Sequence, residues 1–173
     1  MRDGRKISAL VTVGILSVST LLCSCVSEEC IGNRNSLPLA GFYSSTLTPE
    51  VIRVDSIKVY GVGAPGDSVL HSSPSAISEL YLPFRLEGGS TTYVIKYMQK
   101  EFETLGLEDR ITFRYETEPR FVSAACGAMY DFRIMGIDYT TNLIDSVTCP
   151  YGVIDNNNVE NLRIYFRTQS SEE

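Results

Sequence analysis

The chain has 173 residues, with 15 basic and 21 acidic side chains, no tryptophan and a single histidine, His71. If residues 1–24 are removed as an export signal, the 149 residues that remain are enough for one domain that buries about two-thirds of its surface. These residues include 12 basic and 20 acidic side chains, which gives a net charge of −8. This charge argues against nucleic acid as a partner and against charge-driven binding to anionic lipid.

The first 24 residues have the organisation of an export signal. Three basic residues near the start precede an uncharged aliphatic stretch that ends at Leu22-Cys23-Ser24-Cys25. A small residue before a cysteine, with leucine three positions upstream, resembles the lipobox of bacterial lipoproteins. The resemblance implies a diacylglycerol on Cys25, cleavage before it and acylation of the new amine, so that palmitate-like chains anchor the protein in a membrane. Two alternatives stay open: an uncleaved helix, because residues 7–26 supply about 20 uncharged residues, and a simple secretory signal cut elsewhere.

The residues after Cys25 form a short tether. Ser27-Glu28-Glu29 resembles the acidic export tag that takes Bacteroidota lipoproteins to the cell surface, although a solvated tether would have the same composition. We therefore expect an outer-membrane lipoprotein, on the periplasmic face or at the cell surface. The expected organisation is a signal peptide at 1–24, the lipidated N-terminus and tether at 25–38, a β domain at 39–168 and a polar tail at 169–173.

The rest of the chain consists of short segments in which apolar and polar residues alternate, separated by Gly, Pro and Asn. A period of two places one face of a strand on a core and the other face in water. In chain order these segments are 39–46, 56–60, 80–84, 91–97, 110–115, 130–134, 143–148 and 162–167. Pro83 indicates a strand edge or end, and the charged residues 99–109 suit at most one helical turn. The pattern predicts an all-β fold, a single antiparallel β-sandwich, immunoglobulin-like or similar, with about seven to nine strands.

The same alternation predicts which side chains face outward. Six basic residues fall on outer faces, with the acids mostly in the connections: Lys58, Lys96, Arg114, Arg133, Arg163 and Arg167. They could form a basic patch, but Lys and Arg on open strands commonly only prevent edge-to-edge aggregation. Four tyrosines are predicted to face the core: Tyr93, Tyr97, Tyr115 and Tyr130.

Phe121-Val122-Ser123-Ala124-Ala125-Cys126-Gly127 resembles a stretch shared by an uncharacterised family of Bacteroidota lipoproteins with a domain of unknown function. The resemblance extends to the acidic tether Glu28-Glu29-Cys30 and to the strands at 92–95, 111–115 and 165–166. This chain departs from the family pattern at Ala128, where an aromatic residue is usual, and in its extra Cys149. The resemblance implies an envelope address and an architecture, and it implies no activity.

With Cys25 lipidated, three cysteines remain for disulfides: Cys30, Cys126 and Cys149. A hairpin over residues 128–149 that turns near Thr141 would leave Cys126 about 23 Å from Cys149 along the strand, too far for a bond that needs Cα atoms within about 7 Å. The family resemblance favours Cys30–Cys126. Cys30–Cys149 and three free, buried thiols are the other possibilities.

We predict no catalytic residue, no metal ligand and no cofactor. His71 is the one imidazole and lies in a Ser- and Pro-rich stretch without a group to orient it. Glu116 and Glu118 share a strand face and are expected to be solvated charges. The stretch Asp155–Asn158 could bind calcium but lacks the spacing of a dedicated loop, and an Asn-rich turn is expected there. The expected function is therefore a structural or protein-interaction module, with a glycan or small-ligand binding protein as the alternative and an enzyme as a distant one.

Overall fold

The computed structural model describes residues 36–123, 127–155 and 159–168, apart from the side chains of Asp67 and Val122. These residues belong to the unit formed by residues 31–173. Their regular secondary structure consists of ten strands, one 3-10 turn at Pro65–Asp67 and one helical turn, α1 (Lys100–Glu103). The strands are β1 (Leu39–Ser44), β2 (Ile57–Gly61), β3 (Val69–Ser73), β4 (Glu79–Tyr81), β5 (Ser90–Tyr97), β6 (Glu108–Ser123), β7 (Gly127–Tyr139), β8 (Ile144–Thr148), β9 (Val153–Ile154) and β10 (Glu160–Phe166).

The strands form two sheets, which confirms the predicted all-β fold. One sheet has the order β4-β1-β10-β8 and the other has the order β3-β2-β5-β6-β7-β9. The pairs between these strands are antiparallel, except that β1 runs parallel to β10. The sequence predicts seven to nine strands, whereas the described residues form ten. The strands without a predicted counterpart are β3, whose composition is polar, and β9, which has only two residues, too few to show an alternating pattern.

The core lies where the alternation predicts it. Alternate residues of the longer strands are buried and pack together between the sheets: Ile57 and Val59 on β2, Tyr93, Ile95 and Tyr97 on β5, Ile111, Phe113 and Tyr115 on β6, and Leu162, Ile164 and Phe166 on β10. Each large apolar side chain that is fully buried contributes about 1.5–3 kcal/mol relative to an exposed one. Three of the four tyrosines predicted to face the core are therefore confirmed, whereas Tyr130 is only half-buried.

Phe84 closes the core beside β4. The strand ends at Tyr81, in agreement with the predicted end at Pro83, and the chain then inserts Phe84 among other aromatic rings. Its ring centroid lies 4.6 Å from that of Tyr115 in a stacked arrangement and 5.4 Å from that of Phe132 in an edge-on arrangement. Such ring pairs add about 0.5–1.5 kcal/mol beyond the area that they bury.

The turn after β7 carries the chain from one sheet to the other. The predicted hairpin over residues 128–149 is wrong, because β7 belongs to the six-stranded sheet and β8 to the four-stranded sheet. The carboxylate of Asp109, which is fully buried, holds this turn. Five donors surround it at 2.7–3.0 Å: the hydroxyls of Thr140 and Tyr97 and the backbone N–H groups of Asn142, Leu143 and Ile144.

The edge strand β3 replaces the polar loop that the sequence predicts near His71. Its residues pair with β2, and His71 lies opposite Val59. An edge strand has one neighbour only and tolerates polar side chains that a central strand would not. The hydroxyl-rich composition therefore gives no strand pattern in the sequence, although the segment forms a strand by pairing with the backbone of β2.

Candidate functional site

The three cysteines with predicted roles, Cys25, Cys30 and Cys126, lie outside the described residues. Cys149 is described, and it is a half-buried free thiol just after β8. Burial raises the pKa of this thiol, and backbone hydrogen bonds from Gly152 and Tyr151 offset part of the shift. Because Cys149 is a free thiol, it does not form the disulfide with Cys30 that was one of the predicted possibilities.

None of the helices formed by the described residues is long and apolar enough to span a membrane.

The groups considered for catalysis or metal binding do not come together. His71 lies on β3, and its Nε2 is buried without a hydrogen-bond partner among the described residues. Glu118 is paired with Arg133 at 2.7 Å, and Glu116 is exposed. Asp155 is described, but residues 156–158 of the proposed calcium loop are not. Within the described ranges, no three His, Cys, Asp or Glu side chains are grouped so that they could hold a metal ion.

Ion pairs neutralise most of the basic side chains on the outer faces. Five of the six basic residues predicted to face outward have an acidic partner on a strand: Lys96–Glu108, Arg114–Asp138, Arg133–Glu118, Arg163–Glu160 and Arg167–Asp145. The expectation that the acids lie mostly in connections is thus wrong for these partners. Exposed pairs of this kind contribute only about 0–1 kcal/mol each to stability. Their main effect is to neutralise the positive charges, so these residues do not form a basic patch.

The outer face of the four-stranded sheet carries three tyrosines and one of these ion pairs. We call this surface the tyrosine face and define it by Tyr43, Tyr81, Glu160, Arg163 and Tyr165. The rings of Tyr43 and Tyr165, opposite each other on β1 and β10, have centroids 5.7 Å apart. Tyr81 on β4 is 47% exposed. The guanidinium of Arg163 lies 5.4 Å from the centre of the Tyr43 ring, within range of a cation–π interaction.

Glu160 holds the tyrosine face in one arrangement. Its carboxylate accepts a hydrogen bond from the Tyr43 hydroxyl at 2.8 Å and one from Arg163 Nε at 2.7 Å. Burial and the Glu160 carboxylate raise the pKa of Tyr43, and hydrogen bonds with Glu160 and Tyr165 raise the pKa of Arg163. Gly41 makes room for the carboxylate, because a Cβ at this position would collide with Glu160 Oε2. Both charges are therefore ordered before any partner arrives.

A shallow cleft of about 240 Å³ lies where β2 and β3 meet the end of β5. Its lining combines hydroxyl and apolar side chains: Ser56, Ile57, Ser72, Ser73, Pro74 and Met98. Ser56 has a φ of 50°, a left-handed conformation that is uncommon for residues other than glycine. The lining contains neither a carboxylate nor an imidazole, so the cleft offers hydrogen bonds to a neutral ligand and no general acid or base.

A comparison with known families identifies the domain. The model of the family of unknown function DUF6452 matches residues 56–166, more than half of the chain. The chain belongs to the DUF6452 family. The match contains the cleft and four of the five residues of the tyrosine face, while Tyr43 precedes it. No curated protein and no solved structure matches the chain. Membership of DUF6452 therefore supplies a family without an assigned molecular function.

Proposed function

We propose that this DUF6452 protein is an outer-membrane lipoprotein of the Bacteroidota type whose β-sandwich binds a protein partner through the tyrosine face. The N-terminal sequence supports the anchor, since a basic start and an apolar stretch lead to Ser24 and Cys25. Several acyl chains at about 0.8 kcal/mol per buried CH₂ would hold the domain on the periplasmic face or at the cell surface. The observation that carries the binding half is the pair of contacting tyrosines, Tyr43 and Tyr165, beside the Glu160–Arg163 ion pair, with Tyr81 exposed on the same sheet.

The composition of the tyrosine face fits a protein partner. Tyrosine and arginine are enriched at protein interfaces because a rigid ring or a planar guanidinium buries a large area at a small entropic cost. Here the rings of Tyr43 and Tyr165 pack on each other, and Arg163 is fixed by Glu160. A partner therefore gains contact area without ordering these side chains. The surface is the outer side of a sheet, which matches a broad contact better than the enclosure that a small ligand requires.

The binding proposal is tested with the acylated protein purified from membranes after cross-linking in intact cells. We expect one envelope protein to be recovered with the unaltered chain and to be lost with Tyr81→Ala and Tyr165→Ala. If each ring is an interface hot spot, its removal costs about 2 kcal/mol or more, which corresponds to a roughly 30-fold weaker complex.

Tyr151→Ala is the matched control, because Tyr151 is 69% exposed and lies in the turn before β9, away from the tyrosine face. All three variants should unfold at temperatures close to that of the unaltered protein. Recovery of the same partner in equal amounts with Tyr81→Ala and Tyr165→Ala would show that the partner binds elsewhere.

The serine-lined cleft favours a second function, the binding of a glycan or another neutral small ligand. Hydroxyl groups beside the apolar Met98 and Pro74 suit the alternating polar and apolar surfaces of a sugar ring. A glycan array would detect this activity directly. Specific retention that Ser73→Val abolishes and Tyr81→Ala leaves unchanged, together with an empty cross-linking experiment, would replace the protein-binding proposal.

The anchor has its own test. Mass spectrometry of the membrane-extracted protein should show an N-terminal Cys25 that carries acyl chains, and Cys25→Ser should release the protein from the membrane fraction. An unmodified N-terminus, or processing at a different residue, would contradict the anchor.

The disulfide Cys30–Cys126 is part of the same proposal. Ser36, the first described residue, donates from Oγ to the carbonyl of Tyr130 at 2.8 Å. Cys30 precedes Ser36 by six positions, which could reach about 20 Å, and Cys126 precedes Tyr130 by four positions, which could reach about 13 Å. The chain is therefore long enough for the two thiols to meet. Such a bond would fasten the tether five residues after the lipid.

A further inference from the structure

The β6–β7 hairpin extends beyond the strands that flank it. β5 pairs with β6 only as far as Arg114, and β9 pairs with β7 only at Phe132 and Arg133. We call the distal part, residues 115–123 and 127–134, the hairpin arm. Along most of the arm, each strand has the other as its only partner among the strands that the structure describes.

An apolar row runs along the arm and leaves the core. Paired residues of β6 and β7 point to the same face, so the row passes from Thr117–Phe132 through Pro119–Tyr130 to Phe121–Ala128. Phe132 is fully buried, Tyr130 is half-buried and Phe121 is 72% exposed. The face that packs in the sandwich at one end is thus uncovered at the other, where it ends in a phenylalanine.

The end of the arm carries no charge. Residues 121–130 contain no Asp, Glu, Lys or Arg. The nearest charged residues on either side, Arg120 and Asp131, pair with each other at 2.8 Å across the two strands. An apolar medium could therefore surround Phe121 without the cost of taking an unpaired charge out of water.

The tether meets the described domain on this arm. Ser36 is 2% exposed, its backbone N donates to the Tyr130 carbonyl at 3.4 Å, and its Oγ lies 3.3 Å from Asp131 Oδ1. Eleven residues from Cys25 to Ser36 span at most about 38 Å and on average about 20 Å if they are flexible. Phe121 pairs with Ala128, which is two residues, or about 7 Å, from Tyr130. The bilayer that would hold a lipidated Cys25 is thus within reach of the paired residues Phe121 and Ala128, which we call the tip of the arm.

We infer that the tip of the hairpin arm rests in the surface of the bilayer that holds the anchor, with Phe121 as the inserted side chain. The inference rests on the proposed lipidation of Cys25. The tether keeps the tip at a high effective concentration beside the lipid, so weak insertion is sufficient. Because the mature chain has a net charge of −8, the contact is apolar, and the tip favours zwitterionic over anionic lipid.

The chain has no tryptophan, so a single introduced indole reports on one position. Phe121→Trp is compared with Leu105→Trp, since Leu105 is 75% exposed and lies in the turn before β6, about 40 Å of strand away from residue 121. Each acylated variant is placed in phosphatidylcholine vesicles with or without brominated acyl chains, after mass spectrometry has verified the acyl groups. We expect the emission of the Phe121→Trp variant to shift to shorter wavelength and to be quenched by the brominated chains. The emission of the Leu105→Trp variant should stay unchanged.

If the Phe121→Trp variant binds to the vesicles but its emission is quenched no more than that of the Leu105→Trp variant, the inference is overturned and the anchor stays intact. Emission from the Phe121→Trp variant that shifts only when envelope proteins are added would overturn it in favour of a protein partner at the tip. A membrane-extracted protein without acyl groups would refute the anchor and the inference together, and the mass measurement would reveal this separately from the binding role of the tyrosine face.

Discussion

Asp109 is the side chain whose replacement tests how the two sheets are joined. Its Oδ1 accepts hydrogen bonds from the Thr140 hydroxyl at 2.7 Å and the Asn142 backbone N at 2.8 Å. Its Oδ2 accepts hydrogen bonds from the backbone N–H groups of Leu143 and Ile144 and from the Tyr97 hydroxyl. Asp109→Asn keeps the shape of the side chain but replaces one accepting oxygen with an NH₂ donor, which cannot accept from the backbone N–H groups that face it.

The cost of Asp109→Asn follows from these contacts. The less damaging orientation places the NH₂ group at Oδ1, where the Thr140 hydroxyl can rotate but the Asn142 N–H is left without its acceptor. A buried unpaired N–H costs about 1–3 kcal/mol. The remaining hydrogen bonds change from charged to neutral acceptors, which weakens each by about 1 kcal/mol. Because the variant no longer buries a charge, part of this loss is offset, and we expect a net destabilisation of about 3–4 kcal/mol.

Urea unfolding of the non-acylated form, residues 26–173, measures this change. With a slope of about 2 kcal/mol per M, the midpoint should fall by roughly 2 M while the slope is unchanged. Asp138→Asn is the control, because Asp138 is an exposed carboxylate paired with Arg114, and its loss should cost less than about 1 kcal/mol. Equal midpoints for the two variants would refute the assignment of Asp109 as the residue that holds the turn.

Acid should diminish the contribution of Asp109. Burial alone would raise the pKa of its carboxyl group, but hydrogen bonds from the Thr140 hydroxyl and from the backbone of residues 142–144 outweigh it and lower the pKa. A carboxyl group with a lowered folded pKa stabilises the protein above its unfolded pKa of about 3.9 and loses this effect as the pH falls through the folded value. The difference in unfolding free energy between the unaltered protein and Asp109→Asn should therefore shrink below about pH 4.

Three further outcomes are expected. Gly41→Ala should displace the Glu160 carboxylate from the Tyr43 hydroxyl and cost about 1 kcal/mol in urea unfolding, roughly the worth of that hydrogen bond, and an unchanged midpoint would show that the Glu160 side chain moves aside without loss. Cys149 should react with iodoacetamide more slowly in the native than in the unfolded chain at pH 8, because its pKa is raised and less of it is thiolate; equal rates would contradict its burial. Denatured mature protein should show one free thiol before reduction and three after it if Cys30 and Cys126 are bonded, and reduction should destabilise the fold by up to about 4–5 kcal/mol. Three thiols without reductant would exclude the bond.

The sequence predicts the strands whose signal is local. In β5 and β6 the alternation of Tyr93, Ile95 and Tyr97, and of Ile111 and Phe113, states directly which side chains are buried. The hydrophobic effect acts on each residue according to its own face, so a period of two is sufficient to find the core. Val94 is an exception to this agreement, because it shows no exposed surface although it lies on the predicted outer side of β5.

The sequence does not predict the pairing of distant segments. Thr140-Thr141-Asn142 indicates a turn, but nothing in these residues tells whether the chain returns to the same sheet or crosses to the other. The crossing depends on Asp109, some 30 residues earlier, and a single acidic residue in a charged stretch gives no sign that it is buried. The wrong hairpin over residues 128–149 follows from this missing long-range information.

The tyrosine face was hidden for the same reason. Tyr43 and Glu160 are 117 positions apart and meet only because β1 runs parallel to β10. In the sequence Tyr43 is one aromatic residue in a predicted strand, and Gly41 is an ordinary glycine. The contacts of Glu160 with Tyr43 and Gly41 can be seen only in the folded sheet, where β1 lies beside β10. The predicted N-terminal anchor, by contrast, is a motif of contiguous residues, which is why the sequence alone could suggest it.

The two proposed contact surfaces differ in the chemistry that each could meet. The tyrosine face contains the Glu160–Arg163 pair and phenol groups that need hydrogen-bond partners, and moving such a pair into hydrocarbon would cost several kcal/mol. A protein partner or water can satisfy these groups, and a lipid tail cannot. Phe121 has no polar atom beyond its backbone and lies in a stretch without charge, so hydrocarbon satisfies it fully. The assignment of protein to the first surface and lipid to the second therefore cannot be exchanged without leaving polar groups unpaired.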